Sequence, residues 1–362
     1  MPLTLVDQGL LSTNAQYTGF KNRIINGDMT IDQRNNGASV STTTVDATYT
    51  LDRWMAAFNV ATRYTVQQNA GSVTPPVGFT NYLGVTSTAA TSVGSGDYYF
   101  LQQLIEGFNI ADLGWGTANA QTVTLSFWVR SSLTGTFGGA LTNSAQNRSY
   151  PFSYTISAAN TWEQKTITVA GDTTGTWLTT NGAGIRLRFG LGVGSTLSGT
   201  AGAWAGSNFV SATGATSVVG TNGATFYITG VQLERGQTAT SFDVLPYGTE
   251  LMLCQRYYLK YQLAASFAFT GRTLDGNRVQ LNFPLRNQMR VTPSLVSSGI
   301  TAVNNVYFGT SRVSPNGTQT YGLSGHESED IGGILITGGG SYTTDQIVTA
   351  QISGAIAYSA EL

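Results

Sequence analysis

In Thr122–Arg130, TVTLSFWVR, apolar and polar residues alternate with a period of two. Val123, Leu125, Phe127 and Val129 fall on one face, and Thr122, Thr124, Ser126 and Arg130 on the other. A stretch patterned in this way buries its apolar half only as a strand with one covered face. Ile185–Leu191 repeats the pattern, with Ile185, Leu187, Phe189 and Leu191 inward and Arg186 and Arg188 outward. Phe226–Leu233 does so again, with a phase break at Gly230 that predicts a β-bulge. Further short strands are expected in Tyr49–Phe58, Tyr98–Glu106, Phe152–Ile156 and Trp162–Val169, separated by turn residues. Strands with one apolar face need a second layer, so the pattern predicts an all-β sandwich rather than an α/β fold.

Composition agrees. Charged residues make up only 10% of the 362, against about 25% in an average soluble protein, while aromatics stay at 11% and Gly reaches 44. Disordered chains combine few aromatics with high charge, the reverse of this mixture. The length suits two domains, and Pro246–Gly248 reads as their joint. Three parts are expected: an attachment arm over 1–20, a sandwich over 21–248 and a smaller C-terminal β-sandwich over 249–362. Arg23–Ile31 is expected to form a short strand around an Asn26–Gly27 turn. Ser195–Gly223, rich in Gly, Ala, Ser and Thr, is expected to be a long surface loop, and Thr249 to cap one helical turn running to Arg256.

A net charge of −1 lacks the electrostatic term on which nucleic-acid and anionic-membrane binding depend. No apolar run approaches the about 20 residues that span a bilayer, and the first twenty residues lack the features of a signal peptide. The lone Cys254 excludes an intrachain disulfide and reads as a small buried hydrophobe. The expected place of synthesis is a reducing cytoplasm.

Catalytic constellations are sparse. The single histidine, His326, lies in GHESED beside Glu327, Glu329 and Asp330, which reads as a solvated acidic turn without metal-ligand spacing. Gly190, Gly192 and Gly194 follow a strand but precede no helix, so they are not a phosphate-cradling loop. A glycosidase pair drawn from separated acids such as Asp97 and Glu106 stays open from the sequence. The expectation is a protein without catalytic residues or a bound cofactor.

Three segments carry a family resemblance: FKNRIINGDMTIDQRNNG with YTLDRW, LIEGFNIADLGWGTANAQTVTLSFWVRSSLTGTF, and FYITGVQLERGQTATSFDVLPYGTELMLCQRYY. In this order, across residues 20–258, they resemble bacteriophage tail-fibre and related virion appendage proteins. The run TVTLSFWVRSS, TWEQKTITV, FYITGVQLERG is similar to galactose-binding-like jelly rolls of the carbohydrate-binding-module type. The resemblance implies a jelly-roll sandwich in a virion component, commonly a homotrimer. The N-terminal arm is expected to contact other virion proteins, and the first expectation for the chain's role is recognition of host cell-surface polysaccharide. The resemblance does not itself imply that the jelly roll binds sugar. The alternatives are an architectural adaptor or capsid decoration, and a glycan-degrading spike.

A sugar site needs an aromatic platform and planar polar groups, because sugar CH faces stack and sugar hydroxyls need paired donors and acceptors. Trp128, the one aromatic on the polar face of its strand, is grouped with Arg130, Arg186 and Arg188 as a candidate glycan face. The competing reading is that a loop, the second domain or a neighbouring subunit covers Trp128. Similar jelly rolls hold a structural Ca²⁺ near the first and last strands, which singles out Asp28 and Asp243. Arg256, Tyr257, Tyr258 and Tyr261 are grouped as an interface between domains or subunits.

Overall fold

The alternating stretches all become antiparallel strands. In this computed structural model, residues 20–43, 48–275, 277–308, 311–313, 320–322, 331–337 and 347–362 are described. The chain divides into two units that meet in sequence at Pro246 and Tyr247. The first unit begins with β1 (Val40–Ser41), β2 (Thr48–Leu51), β3 (Trp54–Phe58), β4 (Tyr64–Gln68) and β5 (Leu83–Ser87). It continues with β6 (Tyr98–Glu106), β7 (Val123–Ser131), β8 (Gly135–Thr142), β9 (Ser149–Ile156) and β10 (Glu163–Val169). Then come β11 (Ala183–Val193), the short β12 (Ser198–Gly199) and β13 (Ser211–Ala212), and β14 (Thr225–Arg235).

Two six-stranded sheets result. Sheet A has the order β1-β4-β5-β14-β7-β10, and sheet B the order β2-β3-β6-β11-β8-β9. The fold is a jelly-roll β-sandwich. Its core is the set of inward positions that the alternation marks. Leu125, Phe127, Val129, Phe226 and Ile228 come from sheet A, and Trp54, Phe58, Leu101, Leu187 and Phe189 from sheet B, all fully buried. Phe127 meets Phe189 across the layers edge to face, with ring centres 5.0 Å apart. Burying each such side chain contributes about 1.5–3 kcal/mol.

The bulge expected at Gly230 is present. The pairing of β14 with β7 slips between Thr229 and Gln232, and Gly230 sits at φ +61°, a conformation that favours glycine.

Three local expectations are corrected. Arg23–Ile31 is irregular rather than a strand, because Asn26 and Met29 both adopt positive φ. The buried Asn26 amide donates to the Ile31 and Asp52 carbonyls and accepts from the Ile31 N–H, which closes the turn from within. Tyr49–Phe58 is two strands, β2 and β3, broken where Arg53 takes φ +69°. The Ser195–Gly223 stretch is not an open loop either. Ser198–Gly199 pairs with Ser211–Ala212, Val218 and Val219 are fully buried, and Val210 packs on Ala57 and Phe100 of sheet B. The sheet makes room for this segment with glycines. A β-carbon at Gly138 or Gly190 would come within 2.6 or 2.7 Å of the Ser211 hydroxyl oxygen.

The second unit opens with α1 (Tyr247–Gln255), longer than the single turn expected and starting before Thr249. β15 (Tyr258–Asp275), β16 (Arg278–Pro284), β17 (Ser294–Phe308) and β18 (Ser311–Val313) follow. The unit ends with β19 (Thr320–Gly322), β20 (Ile331–Thr337) and β21 (Ile347–Ser359). These strands join in one sheet, ordered β18-β17-β21-β15-β16-β20-β19, where a two-sheet sandwich was expected. Leu259, Val279, Leu281, Ile334, Ile336, Ile356 and Tyr358 form its core. Residues 1–19 of the expected arm lie outside the described residues, as do His326, Glu327, Glu329 and Asp330.

Candidate ligand-binding cleft

The outer face of sheet B can be read from its register. Tyr49, Met55, Gln102, Arg188, Ala140 and Pro151 form one row across all six strands. Ala57, Phe100 and Gly190 belong to the neighbouring row on one side, and Leu104, Arg186 and Thr142 to the row on the other. Arg186 and Arg188 are two residues apart on β11, so both point outward about 6.5 Å apart along the strand. From these rows Met55, Ala57, Phe100, Gln102, Arg186 and Arg188, together with residues of the folded-over 195–212 segment, line a cleft of about 390 Å³.

Arg188 forms the floor of the cleft and is only 3% exposed. Its Nε donates to Gln102 Oε1 at 2.8 Å, Nη1 to Asn208 Oδ1 at 3.1 Å and Nη2 to Gln146 Oε1 at 2.5 Å. The guanidinium carbon lies 4.9 Å from the centre of the Phe100 ring, in cation–π range. Arginine carries five N–H donors, of which three are used here. The partners come from three parts of the fold: Gln102 and Phe100 from β6, Gln146 from the turn between β8 and β9, and Asn208 from the 195–212 segment. Met55, Ala57, Phe100, Leu197 and Val210 supply apolar wall.

Arg186 is less engaged. Its Nη2 makes one long hydrogen bond to the Ser144 carbonyl, 3.4 Å, and its shielded Nε has no hydrogen-bond partner. Burial, and next the charge of Arg186, push the Arg188 guanidinium down to about 9, which leaves it charged at neutral pH. Burial also lowers Arg186. No carboxylate contributes to either shift, and neither arginine forms an ion pair among the described residues. The cleft is therefore cationic and partly apolar, and neutral side-chain carbonyls orient its buried arginine.

The four residues grouped as one glycan face do not form one. Arg186 and Arg188 lie on sheet B, whereas Trp128 and Arg130 lie on β7 of sheet A. Both pairs face outward, but from opposite layers. Trp128 is half-buried in a smaller depression of about 240 Å³ with Val77, Phe79, Gln164, Gly230, Phe242 and Val244. Arg130 donates from Nε to the Asn160 carbonyl and covers the Tyr227 ring at 5.5 Å. It thereby joins a packed Tyr82–Trp162–Tyr227 aromatic group, in which Tyr82 and Tyr227 are buried.

Asp28 and Asp243 do not fit a cation site. Asp243 Oδ2 accepts the backbone N–H groups of Lys21 and Asn22, and Asp28 Oδ1 that of Thr30. Both carboxylates serve as local hydrogen-bond acceptors, and a hard cation wants six or more converging oxygens. Among the described residues, no three His, Cys, Asp or Glu side chains converge. Tyr257 and Tyr258 are buried within the chain and offer no surface to another subunit, while Arg256 uses its carbonyl to accept from Arg290. Tyr261 is half-buried, with the Arg286 guanidinium 5.3 Å from its ring centre. Asp97 and Glu106 flank β6 at opposite ends, about 30 Å apart at about 3.3 Å per residue, too far for the about 5–9.5 Å of a glycosidase pair.

The cleft residues that the sequence did not single out are Phe100, Gln102, Gln146 and Asn208. In Tyr98–Glu106 every residue after the first is buried, so the strand shows no alternation that would separate its two faces. Gln146 and Asn208 lie in turn-rich stretches without periodicity. The two sheets and the cleft together define a jelly roll with an outward-facing, cationic cleft.

No family model and no curated protein matches the chain. Among solved structures, it is similar to the enzymatically active domain of bacteriophage CBA120 tailspike protein 4 at 13% identity. That match covers 51% of this chain and 20% of the tailspike chain, with a TM-score of 0.31. It is also similar to the family 11 carbohydrate-binding module of Clostridium thermocellum with a mixed-linked tetrasaccharide. This match has 12% identity, 56% and 100% coverage and a TM-score of 0.27. A third similar structure is TmCBM61 with β-1,4-galactotriose, at 10% identity, 51% and 88% coverage and a TM-score of 0.27.

Proposed function

We propose that this chain is a non-catalytic, glycan-binding subunit of a bacteriophage virion appendage, with the sheet B cleft as its saccharide site. The observation that carries the binding reading is the Arg188 constellation. A planar donor is locked by Gln102, Gln146 and Asn208 over the Phe100 ring, in a cleft with apolar wall beside polar groups. Sugars need that combination, since their CH faces pack on apolar surface while their hydroxyls require fixed hydrogen-bonding groups. The three sequence segments described above support the virion setting, along with assembly as a homotrimer and attachment through the N-terminal arm.

Calorimetric titration of the purified chain with a panel of oligosaccharides tests the binding reading. Saturable binding that Phe100→Ala weakens about 10-fold is the expected outcome, from loss of an aromatic contact of about 1–1.5 kcal/mol. A panel without a single saturable ligand refutes it. Mass spectrometry of purified particles tests the virion setting, which falls if the chain is absent from them. Sedimentation at micromolar concentration tests the trimer, and a monomer refutes it.

A further inference from the structure

We infer that the saccharide held by this cleft is acidic, with a uronate-type carboxylate seated against Arg186 and Arg188. The inference rests on the glycan reading above and specifies its ligand.

Two guanidinium groups project from adjacent outward positions of β11 into one cleft, and no carboxylate of the described residues pairs with either. A charge taken out of water without a counter-charge is costly, and proteins seldom keep one without a reason. Here the protein spends three side chains on positioning Arg188, and all three partners are neutral. Carbonyl oxygens orient a guanidinium but do not neutralise it. Two donors of Arg188 and the Nε of Arg186 remain without partners in the protein. The missing component is a planar anion that accepts several N–H groups, and a carboxylate matches guanidinium geometry in bidentate fashion. Phe100, Met55 and Val210 line the same cleft, so the ligand must carry an apolar face next to its charge. A sugar ring with a carboxylate in place of its hydroxymethyl group has both.

Neutral sugars would leave the two cations uncompensated, so the site discriminates by charge rather than by shape alone. The trimers of galacturonate and galactose differ at that one group and serve as the probe pair, with a sulfated galactose trimer as a third arm. Wild-type protein is expected to bind the galacturonate trimer about 10- to 100-fold more tightly than the galactose trimer, the range for a hydrogen-bonded charged contact of about 1.5–3 kcal/mol. Arg186→Met is expected to reduce that preference about 10-fold or more without lowering the unfolding midpoint. Trp128→Ala, on the opposite sheet, is expected to leave the preference intact. Equal affinity for the acidic and neutral trimers overturns the inference and leaves glycan binding standing, as does an acidic preference that survives Arg186→Met. Tighter binding of the sulfated trimer than of the galacturonate overturns the carboxylate assignment. Failure of all three trimers, and of any other saccharide, overturns the glycan reading itself.

Discussion

Replacing Arg188 with methionine should leave the first unit as stable as before or make it more stable. The guanidinium is buried, and burial pushes it down to about 9, which disfavours the charged form by several kcal/mol at about 1.4 kcal/mol per unit. Methionine removes that cost. It also removes three hydrogen bonds, but their acceptors differ in what they lose. Asn208 is exposed and Gln146 half-buried, so water can satisfy both. Only Gln102, at 3% exposure, keeps a buried acceptor without its donor, a loss of about 1–3 kcal/mol. The thioether sits over Phe100 in place of the guanidinium, a favourable contact worth about 0.3–1.5 kcal/mol. The sum of these terms is neutral or favours the variant by a few kcal/mol.

All six tryptophans lie between Trp54 and Trp204, in the first unit, so tryptophan fluorescence in a urea titration reports on that unit without the second. The expected result is a midpoint unchanged or raised, with an unchanged slope. Breaking a paired buried charge instead costs about 3–5 kcal/mol. A loss of that size in Arg188→Met would mean that Arg188 is part of the architecture, and the argument for a ligand-supplied anion would fail with it. A residue whose removal stabilises the fold while abolishing binding is kept for binding.

Arg148 and Asp172 make the contrasting case of a compensated buried charge. Arg148 Nε and Nη2 bond the two Asp172 oxygens at 2.8 and 2.7 Å. Burial alone would raise the Asp172 carboxyl, but the Arg148 hydrogen bonds and those from Thr174 outweigh it and hold it below its ordinary value. Its contribution is therefore full above the unfolded carboxylate pKa of about 4 and fades as pH falls through the lower folded value. Asp172→Asn should lose about 1–3 kcal/mol at pH 7 and converge on wild type in acid, and urea midpoints that stay parallel from pH 7 down to about pH 2 would refute this. Gly230→Ala should cost about 1–3 kcal/mol, from positive φ and from a methyl 2.6 Å from the Phe79 ring and 3.1 Å from Trp128. The near-ultraviolet circular dichroism of Trp128 should change with it, and a stability change under about 0.5 kcal/mol would count against a strained bulge. Asn26→Ala removes three buried hydrogen bonds and should cost about 2–4 kcal/mol. A urea midpoint equal to wild type would mean that the backbone alone holds that turn.

Strand identity was legible wherever apolar residues alternate with polar or charged ones along the chain. Val123–Val129 and Ile185–Leu191 alternate cleanly, and every inward residue named from them is fully buried. The bulge at Gly230 was legible for the same reason, since an inserted residue shifts the phase of the alternation. Arg23–Ile31 misled because its apolar residues mimic a strand, while the fold depends on two positive-φ residues and the hydrogen bonds of the buried Asn26 amide. Ser195–Gly223 misled because small residues without periodicity suit a solvated loop and also suit a segment packed flat on glycines.

The candidate site failed for a deeper reason, which lies in the topology of the jelly roll. Period two states which residues of a strand share a face, but not which layer receives the strand. β7 pairs with β10 and β14, while β11 pairs with β6 and β8, so strands with identical patterns enter opposite sheets. Outward residues on opposite sheets diverge, and Trp128 cannot meet Arg188 however well both were phased. What completes the Arg188 site is instead side chains from β6, the β8–β9 turn and the 195–212 segment, which the fold brings to β11 from distant parts of the chain. Alternation alone could nominate Arg186 and Arg188, because two outward cations on a sparsely charged strand stand out. Their partners are neutral amides in stretches with no period, so only the three-dimensional register identifies the pair as uncompensated.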